Sequence, residues 1–168
     1  MPTHFQGNKD TVRALNAYIN LERASDSFVR RLSAPLESQG LTLGQFGVME
    51  ALLHLGPLCQ HELGKKLLRS GGNITLVVDN LEKHGWVRRV RQQNDRRMIQ
   101  IQLTPDGRRL IARVFPAHAR AIAAEMSRLS AGEQDMLRRL CRKLGGNGAQ
   151  ASGGKLKKEK HHDSDSTE

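Results

Sequence analysis

The stretch Ser70 to Trp86, SGGNITLVVDNLEKHGW, together with the VRRVRQQNDRR that follows it, constrains this chain more than any other. Ile74, Val77, Val78 and Leu81 recur at i, i+3, i+4 and i+7, which places them on one face of a helix. The opposite face carries Thr75, Leu76, Asp79, Asn80 and Lys83, polar except for one apolar residue. Arg88, Arg89, Arg91, Arg96 and Arg97 then crowd around a lone Asp95 on a segment whose turn signal is Asn94-Asp95. A short helix with small polar side chains outward, followed by an arginine-rich turn, suits an element that lies against nucleic acid.

The rest of the chain reads as what holds that unit in place. Residues 1–9 are expected to be disordered. From Asp10, Val12, Leu15, Tyr18, Ile19, Phe28, Val29, Leu32 and Leu36 keep helical spacing, and Gln39-Gly40 supplies a stop. Thr42, with Gln45 three residues on, has capping-box spacing and opens a second helix, with Phe46, Met49, Leu52 and Leu53 inward, ended by Gly56-Pro57. A shorter third helix runs from Gln60 to Leu68, and Gly71-Gly72 reads as the break before the central helix. Helix, short glycine-containing turn, helix is the helix-turn-helix arrangement. Trp86–Val90 and Met98–Leu103 read as two strands of a hairpin, the second alternating Ile99, Ile101 and Leu103 with Gln100 and Gln102.

Thr104-Pro105 places an N-cap and a proline at the first helical position, starting a long helix with Leu110, Ile111, Val114, Phe115, Ala121, Ile122, Met126 and Leu129 on its stripe. Pro116 is expected to bend it. Ser130 and Glu133 form a second capping box before a last helix carrying Met136, Leu137, Leu140 and Leu144, closed by Gly145-Gly146. Residues 146–168 are almost devoid of apolar side chains and are expected to be disordered. The fold class is mainly α with a small β-hairpin wing: a winged helix-turn-helix lobe over 42–104, within a domain of residues 10–145. The terminal helices, 10–39 and 105–145, carry more apolar surface than one small domain easily buries. A homodimer made from both ends of the chain, or packing of those helices within a monomer, would account for it.

The net charge of +10 and pI of 10.3 favour a polyanionic partner, nucleic acid before an anionic membrane surface. From Lys155 onward four lysines balance four acidic residues, so the excess sits in the folded part. No apolar run approaches a membrane span, and the N-terminus lacks the apolar core of a signal peptide, so a cytoplasmic chain is expected.

Thr75, Leu76, Asn80 and Lys83 are candidates for base edges or phosphates, since asparagine pairs with adenine and an apolar group meets the thymine methyl. The alternative is a solvated helix face; the exposed Leu76 and the adjacent cations argue against it. Asp79 would repel phosphate unless it orients a neighbour or meets a cytosine amino group. Arg96 or Arg97 is suited to a minor groove and the other arginines to phosphates, with Asp95 orienting one of them. Cys59, near a helix start, is either a reactive thiol or an inert buried one, and Cys141, on an apolar stripe, is expected to be more inert still. No Cys-x-x-Cys spacing, phosphate loop or catalytic carboxylate pair occurs, and Lys65 stands where His61-Glu62 would need a second histidine for zinc. Neither metal, cofactor nor enzyme activity is expected. His161-His162 reads as a solvated pair.

From Thr42 to Leu110 the sequence resembles the MarR family of bacterial transcription regulators, and the flanking helices extend the likeness over about residues 10–145. It rests on Gly56-Pro57-Leu58, Gln60-His-Glu-Leu63, Gly72-Asn73-Ile74-Thr75, Asp79-Asn-Leu-Glu82, His84-Gly-Trp-Val87, Asp95-Arg96-Arg97 and Leu103-Thr104-Pro-Asp-Gly107. The resemblance implies an obligate homodimer on a pseudo-palindromic operator, usually repressing, and released by a small, often aromatic or phenolic ligand or by thiol oxidation. It places Asn73 and Thr75 at the start of the recognition helix, makes Arg97 the minor-groove arginine and Asp95 its orienting carboxylate. Leu76 and Asn80 stand where the family often has arginine, so the operator is not transferable. The first helix lacks the cysteine of the peroxide sensors. The tract from Gly56 to Trp86 is closest to members that respond to catechols and quinones. An effector is expected between the dimer helices and the reading lobe, near Phe28, Phe46 or Met49. A winged-helix adaptor or an enzyme subunit docking through its basic face is the alternative function.

Overall fold

The structure, a computed structural model, describes residues 3–67, 71–91 and 98–145. The expectations for Asp95, Arg96 and Arg97, for Leu68 and Ser70, and for the tail with His161-His162 lie outside the described residues. Residues up to Arg128 form one compact unit and those from Leu129 onward a second.

In the first unit, α1 (Lys9–Glu37) is followed by α2 (Leu43–Leu55), β1 (Leu58–Cys59), α3 (Gln60–Leu67), α4 (Gly71–Lys83), β2 (Val87–Arg91), β3 (Ile99–Leu103) and α5 (Pro105–Met126). Helix starts follow local chemistry. The Asn8 side chain accepts the Thr11 amide at 2.8 Å at the head of α1, and Thr42 and Gln45 close a reciprocal capping box on α2. The α4 helix begins at Gly71, so the Gly71-Gly72 pair forms its first turn instead of a break before it.

The sheet has three strands in the order β1-β3-β2, not two. In addition to the hairpin, with Val87 opposite Leu103 and Arg91 opposite Ile99, Leu58 pairs with Ile101 and Cys59 with Gln100. A two-residue strand is too short to show alternation, and its register comes from the partner. Along β3 only Ile101 is fully buried; Leu103 is half-buried and Ile99 exposed, so the alternation marks a narrower buried strip than its length suggests.

The core gathers Phe46, Val48, Met49 and Leu52 of α2, Leu63 of α3, Ile74, Val78 and Leu81 of α4, and Ile111 and Val114 of α5. Only Leu32 and Leu36 of α1 are buried. The α5 helix continues through Pro116 to Met126, and its buried residues end at His118. The second unit contains α6 (Ala131–Leu144), opened by the Ser130–Glu133 capping box, with no buried residue.

Candidate nucleic-acid interface

The α4 helix is pinned by one face. Ile74, Val78 and Leu81 are fully buried and Val77 half-buried, so Asn73, Thr75, Leu76, Asp79, Asn80 and Lys83 are turned outward together. Leu76 is 64% exposed, the large apolar residue that the folded lobe does not cover on this helix. The Asn80 amide nitrogen donates to the Leu76 carbonyl at 3.0 Å, which leaves its second N–H and its carbonyl oxygen for other partners. Gln60, the first residue of α3, donates through its side chain to the Thr75 hydroxyl and so ties the two helices of the helix-turn-helix at their outer edge.

The exit from α4 is equally constrained. Gly85 takes φ 72°, the left-handed conformation that lets the amides of Gly85 and Trp86 bond back to the carbonyls of Glu82 and Leu81. His84 stacks on Trp86 with ring centroids 4.6 Å apart. The Thr104 hydroxyl donates to the Gly85 carbonyl at 2.7 Å and accepts the Gly107 amide at 3.0 Å, while the Thr104 amide donates to the Trp86 carbonyl. One threonine thus joins the end of the recognition helix, the start of β2 and the first turn of α5.

Arg88 and Arg91 on β2 are exposed cations, as a phosphate-facing role requires; Arg88 has a long contact of 3.5 Å to Gln102 Oε1. Arg89 is different. Its guanidinium bonds Asp79 and Glu82 on α4, and its amide donates to Glu82 Oε1 at 2.9 Å. Partial burial disfavours its charge, but the hydrogen bonds and attraction of Asp79 and Glu82 outweigh that and hold the guanidinium above its ordinary value. Arg89 therefore leaves the group expected to meet phosphates, and the Asp79 carboxylate faces an arginine in its own fold.

None of the three residues expected around an effector is in the wall of the cavity that the α1–α5 contact forms. Met49 is fully buried in the core, Phe46 is nearly so, and Phe28 is half-buried on α1. A cavity of about 450 Å³ lies instead between the end of α1 and the middle of α5, with Leu36, Gln39, Arg113 and His118 in its wall. Phe46 reaches this region through its ring contact with His118, centroids 4.3 Å apart. His118 is 4% exposed, and its Nδ1 has no hydrogen-bond partner among the described residues. Burial pushes its pKa down and keeps the ring neutral. The sequence carried a signal for it: His118 lies four residues after Val114 and seven after Ile111, on the same apolar stripe.

Cys59 lies in β1, half-buried, immediately before α3. Its amide donates to Glu62 Oε2 at 2.8 Å, and that hydrogen bond, with one from the thiol, holds the Glu62 carboxyl below its ordinary value. Cys141 is exposed on α6, not buried as its stripe suggested. Among the described residues no cluster could hold a metal ion, and no helix is long and apolar enough to cross a membrane.

The family model described as "MarR family" matches residues 41–99. The chain is 34% identical over 137 residues to the HTH-type transcriptional regulator YkoM of Bacillus subtilis, covering 82% of this chain and 89% of the relative. It is also 34% identical over 140 residues to the HTH-type transcriptional regulator MhqR of the same organism, covering 83% and 97%. The chain belongs to the MarR family. Among solved structures, the MarR regulator AbsC of Streptomyces coelicolor matches with a TM-score of 0.75 at 18% identity, covering 84% of this chain and 96% of that one. The organohalide-sensing regulator RdhR-CbdbA1625 in its 2,4-dichlorophenol-bound form matches with a TM-score of 0.71 at 20% identity, covering 86% and 88%. The MarR fold, a winged helix-turn-helix between terminal helices, is the architecture described above, and the relatives are transcriptional regulators.

Proposed function

We propose that this MarR-family regulator is a homodimeric repressor of the cytoplasm that reads a pseudo-palindromic operator and is released by a small aromatic or phenolic ligand. The observation that carries the reading is the outer face of α4. Three fully buried anchors hold it rigid, while Leu76 and the neighbouring Asn80 and Lys83 are exposed. Asn73, Thr75, Leu76, Asn80 and Lys83 meet the major groove, and Arg97, oriented by Asp95, enters the minor groove, with Arg96 beside it. Residues 42–104 are the reading lobe, and 10–39 and 105–145 supply the dimer helices. The exposed apolar residues Tyr18, Leu21 and Val29 of α1 and Met136, Leu140 and Leu144 of α6 support that assignment.

The effector site is the α1–α5 cavity, whose volume suits a single-ring ligand. The neutral imidazole of His118, in the cavity wall, is the partner for a phenolic or carboxylic O–H there, and Arg113 meets an anionic group. The 2,4-dichlorophenol bound by RdhR-CbdbA1625 is a phenol of this class. Helices α1 and α5 flank the cavity, so a ligand there alters the spacing of the two recognition helices.

Titration of the full chain with a duplex from its own promoter region and with random duplex, at several salt concentrations, tests the first part. The operator should bind far more tightly, with a steep salt slope. Equal affinity for both duplexes rejects operator reading and favours a basic docking face. Addition of 2,4-dichlorophenol should then weaken operator binding by roughly 5- to 150-fold, and His118→Leu should abolish that response while leaving ligand-free binding intact.

A further inference from the structure

We infer that Arg89 is a positioning residue that sets the angle between the recognition helix and the wing. The inference rests on the DNA-reading function proposed above. Asp79 and Glu82 stand three residues apart on α4, and Arg89 reaches across from the middle of β2 to bond both. Its own amide adds a third tie to Glu82. The strand position is held on its other side as well: Arg89 is opposite Ile101, the fully buried centre of β3, which pairs in turn with Leu58 of β1. Residue 89 is thus the point at which the sheet and the recognition helix are tied to each other.

The same bridge has an electrostatic role. Asp79 adjoins the exposed Asn80 on the outer side of α4, where an uncompensated carboxylate would oppose a phosphate backbone. Arg89 neutralises it from within the fold, so the helix presents Leu76 and Asn80 without an uncompensated negative charge beside them. The neighbouring arginines are placed differently: Arg88 and Arg91 are exposed, and Arg88 reaches Gln102 on the adjacent strand and not a carboxylate of α4. The three described arginines of β2, alike in sequence, thus divide into two kinds.

A double-mutant cycle on a duplex selected by the wild-type chain from a random pool tests the assignment. Arg89→Ala should weaken operator binding roughly tenfold or more and remove hydroxyl-radical protection of the flanking minor groove, while protection at the major groove persists. In an Arg97→Ala background that also carries Asp79→Asn and Glu82→Gln, where the wing contact is lost and no uncompensated carboxylate remains, Arg89→Ala should add no more than about twofold; Arg88→Ala should add its full effect. Arg89→Lys, which keeps the charge but bonds one carboxylate at most, should fold and show intermediate wing protection. Additive losses from Arg89→Ala and Arg97→Ala once Asp79→Asn and Glu82→Gln are present, wild-type protection in Arg89→Lys, or an Arg97→Ala chain that binds like the wild type would each overturn the assignment. So would full recovery of affinity on adding Asp79→Asn and Glu82→Gln to Arg89→Ala, which would reduce Arg89 to charge neutralisation. A wild-type chain that selects no duplex rejects the DNA-reading function itself.

Discussion

Helices α4 and α6 are nearly the same length, 13 and 14 residues, and both carry a one-sided apolar pattern. Their fates differ. In α4 Ile74, Val78 and Leu81 are fully buried, whereas α6 buries no residue and leaves Met136, Leu137, Leu140 and Leu144 exposed. The α4 face is met by α2, α3 and the sheet of its own unit, all within about forty residues of chain. An amphipathic period therefore states that a face needs covering, not what covers it. The difference separates the part of the molecule that is complete within one chain from the part that a second copy is proposed to complete.

The largest expected effect breaks the complete side. Leu81→Ala should cost about 2–5 kcal/mol in chemical denaturation, with a loss independent of protein concentration. A change below about 0.5 kcal/mol would mean that the lobe's core does not depend on the α4 face. Gly107→Ala comes next, at about 1–3 kcal/mol, because a Cβ there would collide with the Trp86 carbonyl oxygen, at the junction that joins α5 to the end of α4. On the open side, Leu140→Asp with Leu144→Asp should raise the dimer dissociation constant at least about tenfold, roughly 1.4 kcal/mol. Sedimentation reads this directly, and an unchanged profile would remove α6 from the interface.

A smaller effect sharpens the exposed face of α4. Leu76→Ala should leave fold stability within about 0.5 kcal/mol and lower operator affinity through a lost methyl contact worth about 0.8 kcal/mol. Replacing operator thymines with uracil should weaken wild-type binding and not that of Leu76→Ala; equal sensitivity in both chains would remove Leu76 from base reading. The last effect sits where burial along α5 stops. His118 is held neutral, so as pH falls the unfolded chain gains its proton first. Its contribution to stability is level above the ordinary imidazole value of 6.5 and declines as pH drops through it toward the depressed folded value. His118→Leu should flatten that acid decline in a thermal-melt series from pH 7 to pH 5, and an identical slope in both chains would argue against it.

The legible features were local. Helix periods, both capping boxes, the Gly40 stop and the Thr104-Pro105 start each depend on residues within four positions of one another, and each is in place. What was not legible depended on distant partners. Strand β1 owes its register to β3, some forty residues away, and the Gly71-Gly72 pair is carried inside a helix that the core anchors. At the candidate site, the outward group on α4 followed from its period, but the separation of Arg89 from Arg88 and Arg91 did not. Those arginines are alike in type and adjacent in sequence, and only the approach of Asp79 and Glu82 distinguishes them. The cavity residues Arg113 and His118 were missed for the same reason, since the cavity exists only where α1 crosses α5.

The sequence by itself determined the winged helix-turn-helix, its family and the face of α4 that is presented, because hydrophobic period, capping and turn chemistry act over a few residues. The tertiary structure alone decided which arginine becomes a strut, where a cavity opens between α1 and α5, and which apolar faces stay open. Those outcomes depend on side chains far apart in sequence meeting at hydrogen-bond distance or failing to meet, and no local pattern encodes that.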